Sequence, residues 1–156
     1  MKRILIFAVF VLACLVARPL QAQSNPFDGT WKLNLDKSTF AAGQAPKSMT
    51  RTVTTDGGTT KYSFEGIAAD GKTLSYSFST NYDGKPMPIM GSGMPYGADV
   101  ISLKHAGPGK SAGTLEKAGK VVATATAVVS KDGKEATVTT KAAGGSSIIK
   151  SVYDKQ

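Results

Sequence analysis

The sequence predicts an all-β fold: an antiparallel up-and-down meander that closes into a small barrel of about eight to nine strands. Three observations carry this. Segments in which apolar and polar residues alternate recur along the chain, as half-buried strands require, clearest in Leu74-Ser75-Tyr76-Ser77-Phe78-Ser79-Thr80-Asn81-Tyr82. Between them stand turn signals that place a glycine where a tight hairpin needs positive φ: Asp56-Gly57-Gly58, Asp70-Gly71-Lys72, Asp83-Gly84-Lys85, Ala118-Gly119-Lys120 and Asp132-Gly133-Lys134. Beyond the N-terminal segment, no stretch sustains a 3.6-residue period, so no helix is predicted that could cover a sheet face. A meander with this many strands removes its exposed edges by closing, which favours a barrel over a two-sheet sandwich.

Taken in order, strands are predicted near residues 30–36, 48–55, 59–66, 73–82, 99–105, 111–117, 120–130, 134–142 and 146–154. Thr30-Trp31-Lys32-Leu33-Asn34-Leu35-Asp36 and Lys61-Tyr62-Ser63-Phe64-Glu65 alternate cleanly. Thr137-Val138-Thr139-Thr140 is rich in β-branched residues suited to a pleated surface. Two longer connections interrupt the series. Residues 37–47 are expected to hold a helical turn at Ser38-Thr39-Phe40 followed by a Gly/Pro loop, and residues 86–97 form a loop rich in Pro, Gly and Met.

Residues 1–22 read as an export signal and residues 23–156 as one barrel domain. Lys2-Arg3 precede fourteen residues, Ile4 to Ala17, without a polar side chain. That run is short for a membrane span, which takes about 20, and Leu20-Gln21-Ala22 fits a small-residue cleavage site. A rival reading makes Val11-Leu12-Ala13-Cys14 a lipidation site, although the apolar run continues past Cys14. Removing Lys2, Arg3 and Arg18 from nineteen bases leaves sixteen against eleven acids, a net charge of +5, and no cysteine. An exported domain without disulfides depends on an ordinary core. Arg51 is the one arginine among those sixteen bases. Nucleic-acid readers favour arginine forks, so no nucleic-acid partner is expected. The lysines read as a solubilising surface, no stable membrane insertion is expected once the signal is removed, and any protein partner is unknown.

The inventory for catalysis is thin, and a non-enzyme is expected. His105, the sole imidazole, precedes Ala106-Gly107-Pro108-Gly109 with no partner marked nearby, and reads as a solvated rim residue. Asp56, Asp70, Asp83, Asp132 and Glu135 sit in or beside turns, where their role is turn geometry. Clustered thioethers can select Cu(I), and Met87, Met90 and Met94 fall in one loop; methionine is also a flexible apolar filler, and no metal or other cofactor is expected.

Phe27-Asp28-Gly29-Thr30-Trp31 resembles the start of the first strand in lipocalin-like barrels, where Gly-x-Trp places the tryptophan at the closed end. The chain from residue 23 onward is similar to small secreted bacterial lipocalin-like proteins of the calycin type, most of unassigned function. Two features depart from that pattern. Lipocalins place an arginine from a late strand over the tryptophan, whereas the late strands here carry lysine alone, and the Thr-Asp-Tyr type motif is missing. The resemblance therefore carries the fold and does not by itself carry ligand binding.

If residues 59–66 and 73–82 pair as a hairpin, Tyr62, Phe64, Tyr76 and Phe78 share the buried side. A small barrel either fills with side chains or holds one small ligand. These rings line a pocket or plug it, and Ala123, Ala125 and Ala127 supply a small face that leaves room beside them. The leading expectation is an exported, non-enzymatic barrel that binds or carries a small apolar ligand, with Trp31, Tyr62, Phe64, Tyr76 and Phe78 as candidate ligand-binding residues. The alternative is a secreted or envelope interaction module whose barrel is filled.

Overall fold

The computed structural model describes residues 24–145 and 147–156. The expected signal segment, residues 1–22, lies outside them. The described residues form one 11-stranded antiparallel sheet. Its strands are β1 (Gly29–Thr39), β2 (Ser48–Asp56), β3 (Thr59–Ile67), β4 (Thr73–Thr80), β5 (Asp83–Pro88), β6 (Met90–Ser92), β7 (Val100–Gly107), β8 (Lys110–Lys117), β9 (Lys120–Val129), β10 (Glu135–Ala142) and β11 (Ile148–Lys155). Chain neighbours pair from β7 to β11 and from β1 to β4, and β11 joins β1. That last ladder sets Trp31 opposite Lys155.

Closure happens within a single short segment. β5 ladders with β7, Met87 opposite Ile101, and β6 ladders with β4, Met90 opposite Ser77. The switch of partner occurs at Ile89, whose N–H donates to the carbonyl of Asp99 at 2.9 Å. Gly91 permits it: its φ is +103°, and a Cβ there would stand 2.1 Å from the Ser75 carbonyl oxygen. The sheet thus curls into a nearly closed barrel. Residues 86–92, expected as loop, are instead these two short strands. Pro86 and Pro88 are tolerated because β5 is laddered on one side only.

The helical turn expected at residues 38–40 is replaced by strand, since β1 runs on to Thr39. Side-chain hydrogen bonds hold that extension. The Ser38 hydroxyl donates to the Asn34 carbonyl at 2.6 Å and accepts from the Val152 N–H at 2.9 Å, which ties the irregular end of β1 to β11. In the Asp-Gly-Lys turns at Asp70 and Asp132 the aspartate accepts the N–H two residues on, at 3.0–3.1 Å. Asp83-Gly84-Lys85, expected as a third turn, instead opens β5 at a register shift against β7 and keeps the same bond at 3.0 Å.

Turns of opposite ends give the barrel a closed base and an open mouth. At the base, Phe27 and Trp31 are buried, and the Trp31 indole N–H donates to the Phe27 carbonyl at 2.8 Å. Val53, Tyr82, Val129 and Ala136 belong to the same buried cluster. Asn25 secures the N-terminal approach to this layer through Thr55 and Thr60. Trp31 therefore seals the base, and its ring packs among fixed neighbours.

Candidate ligand-binding site

Above that layer the interior is not filled. A cavity of about 700 Å³ occupies it, with Leu33, Met49, Arg51, Ile101, Leu103 and Tyr153 among its walls. Small-ligand pockets run to about 300–1,000 Å³, so the space suffices for a guest of that class. The connection at residues 40–46, the β3–β4 turn and residues 93–96 line the mouth.

One wall is aromatic. The β3–β4 register sets Tyr62 opposite Phe78 and Phe64 opposite Tyr76. Their rings stack, with centroids 4.9 Å apart in the first pair and 4.5 Å in the second. All four residues line the cavity. Halfway round the sheet, β8 to β10 contribute Ser111, Ala125, Ala127, Val138 and Thr140, a wall of small side chains. Trp31, grouped with the four rings from sequence, lies beneath the cavity and does not line it.

Arg51 decides the character of the site. β2 alternates, so Met49, Arg51 and Val53 turn the same way, inward. Arg51 is only 2% exposed, lines the cavity, and stands opposite Trp31 in the β1–β2 ladder. Its guanidinium carbon lies 5.2 Å from the Trp31 ring centre and 4.8 Å from that of Tyr153. Among the described residues no carboxylate pairs with it, and its Nε and Nη2 have no hydrogen-bond partner. Burial pulls its pKa below the usual guanidinium value, with only tyrosines nearby to counter. An arginine's ordinary value is so high that the group stays charged. An unpaired charge in an apolar cavity is costly, and the approach to two rings leaves Nε and Nη2 unsatisfied.

Phenols surround this cation. Tyr62 and Tyr82 hydrogen-bond to each other through their hydroxyls, and the Tyr153 hydroxyl donates to the Met49 sulfur at 3.2 Å. Burial raises the pKa of Tyr62, Tyr76, Tyr82 and Tyr153, so all four stay neutral.

The late-strand arginine absent from the sequence has a counterpart. Lys155, on the last strand, places its Nζ 5.0 Å from the Trp31 ring centre. Trp31 is thus flanked by a cation from each neighbouring strand. The remaining candidates fall elsewhere. His105 is exposed at the base and stacks on Tyr82 with centroids 4.2 Å apart. Met87 and Met94 pack against the core while Met90 is 66% exposed, so the three thioethers do not share one face.

Sequence reasoning missed Arg51 as a site residue. The signal was present in Ser48-Met49-Thr50-Arg51-Thr52-Val53, where alternation puts a lone cation on an apolar face.

No family model matches the chain, and no curated protein matches its sequence. Solved structures do match its fold. The chain is similar to fatty-acid-binding protein 1 of Echinococcus granulosus, at 20% identity and a TM-score of 0.57 over 83% of this chain and 97% of that one. It is also similar to a REP1-NXSQ fatty acid transporter, at 12% identity and a TM-score of 0.54 over 83% of this chain and 95% of the other. At these identities the likeness is one of architecture, and it agrees with the lipocalin-like barrel that Gly29-Thr30-Trp31 suggested.

Proposed function

We propose that this protein binds a small, mainly apolar molecule that carries an anionic group, and that it acts as a carrier without catalysis. The buried, unpaired Arg51 guanidinium in the cavity is the observation that carries this reading. An anionic head beside Arg51 supplies the missing charge and hydrogen-bond acceptors, while the tail lies along Tyr62, Phe64, Tyr76 and Phe78. Fatty-acid-binding and fatty-acid-transporting neighbours support the apolar part of the reading, and a long-chain carboxylate is the simplest ligand that meets both requirements. The Lys2-Arg3 start and the apolar run after it support an exported setting. The intact mass of the secreted product is then that of residues 23–156 without lipid, and a diacylated product beginning at Cys14 overturns that part.

Thermal melts with and without a panel of carboxylates, the matching alcohols, terpenoids and haem test the binding claim. A ligand present at about a hundred times its Kd adds about 2.7 kcal/mol of stability by linkage. Carboxylates are expected to raise the melting temperature and the alcohols to raise it less. Absence of any ligand-dependent shift overturns the reading.

A further inference from the structure

Among the described residues, three buried side-chain polar atoms lack a hydrogen-bond partner: Nε and Nη2 of Arg51 and the hydroxyl of Tyr96. Both residues line the same cavity. Arg51 stands in its depth, against Trp31. Tyr96 stands at its mouth, in the short 3₁₀ turn Pro95–Gly97, where it packs on the cluster of Ala98, Leu115 and Ala123. A phenol usually finds a partner when its hydroxyl is buried, and leaving it without one is destabilising.

Tyr96 carries a second cost. Its φ is +59° and its ψ 12°, the left-handed region that a bulky side chain rarely adopts. Gly93 precedes the turn and Gly97 closes it, and both hold positive φ with no steric penalty. A strained backbone and an unpaired hydroxyl therefore meet on one residue at the opening, and strain of this kind concentrates at binding sites.

Building on the anionic-ligand reading above, we propose that the cavity takes a two-ended amphiphile, with its anionic group at Arg51 and an oxygen function at the far end of the apolar body. That second oxygen, a hydroxyl, keto or carboxyl group, accepts a hydrogen bond from the Tyr96 phenol after a small movement of the ring. The aromatic wall between them accommodates the apolar middle. Specificity then comes from two polar points separated by an apolar span. A ligand with a plain methyl terminus leaves the phenol unpaired, and the site discriminates against it for that reason.

The test measures Kd by calorimetry for a series of saturated carboxylates of increasing length and for their ω-hydroxy counterparts. Both series are titrated into the unaltered protein and into Tyr96→Phe. Removing an unpaired hydroxyl leaves the packing in place, so this variant is expected to fold. In the unaltered protein, the best ω-hydroxy acid should bind about tenfold more tightly than the unsubstituted acid of equal length, as one satisfied buried donor allows. In Tyr96→Phe that preference should vanish while the plain acid binds as before. Equal affinities in the unaltered protein, or a preference that survives in Tyr96→Phe, overturn the proposal and leave the anionic-ligand reading standing. Failure of every acid to bind overturns both.

Discussion

Arg51 and Trp31 face each other across the β1–β2 ladder, the guanidinium carbon 5.2 Å from the indole ring centre. The pair joins the two halves of the molecule. Trp31 belongs to the packed base and Arg51 to the cavity above it, so a charge placed at Arg51 is felt at the tryptophan. As the chain has one tryptophan, its emission is expected to respond to an anionic ligand bound at Arg51.

Arg51→Met is expected to keep or raise stability. The methionine retains an apolar stem against Trp31 and Tyr153 and removes a buried charge that no carboxylate balances. Replacing buried ionic groups with apolar ones of similar volume often gains about 1–4 kcal/mol, and the lost stacking on two rings offsets part of that. A denaturant melt checks it. A loss larger than about 2 kcal/mol would make Arg51 a structural strut instead of a binding group.

Trp31→Ala should cost about 3–5 kcal/mol, the range for a large buried ring. The residue is fully buried, and its N–H is satisfied by the Phe27 carbonyl. In the parent, blue-shifted native emission from this one tryptophan is expected, and in Trp31→Ala a melting temperature well below that of the parent.

Phe78→Ala should cost less, about 1–3 kcal/mol. Phe78 borders space that already exists, so truncation enlarges a cavity and creates no new one in packed core. It should also change ligand affinity. A cost equal to that of Trp31→Ala with unchanged binding would mark the aromatic wall as core alone.

Stability should fall in alkali. Burial raises the pKa of Tyr62, Tyr76, Tyr82 and Tyr153 in the folded chain, while in the unfolded chain they ionise near the ordinary value of about 10. Above that value the unfolded chain holds fewer protons than the folded one, so the unfolding free energy declines with pH. The contribution is complete below about pH 10 and is lost as pH climbs toward the folded values. Chemical melts across this range, followed by tyrosinate absorbance, should show phenol ionisation coinciding with unfolding.

Much of the fold could be read from residue alternation. Tyr62 opposite Phe78 and Phe64 opposite Tyr76 follow from two period-2 runs joined by a turn, because a one-residue slip would expose all four rings. β5 and β6 could not be read this way. Pro86, Pro88 and Gly91 break the alternation, and these strands form only because β7 and β4 present free edges to be closed. The end of β1 departs from the expected helical turn for a related reason: Ser38 is held in strand by bonds to Asn34 and Val152, and the second is a distant partner. As for the site, its rings were visible as a face. Arg51 is legible only through its alternation with Met49 and Val53, since composition shows it as one more surface charge, and Tyr96 gives no sequence signal, since it packs against residues of β8 and β9.

The most direct test compares a long-chain carboxylate with its methyl ester, each titrated into the unaltered protein and into Arg51→Met and followed by Trp31 emission and calorimetry. The ester keeps the apolar body and removes the charge. Bonds to a charged group contribute about 1.5–3 kcal/mol, so the carboxylate should bind about tenfold to a hundredfold more tightly than the ester. In Arg51→Met that difference should disappear, with the ester bound as well as before. A carboxylate preference that persists without Arg51, or equal binding of acid and ester to the unaltered protein, would contradict the claim that this buried cation receives the ligand's anionic group.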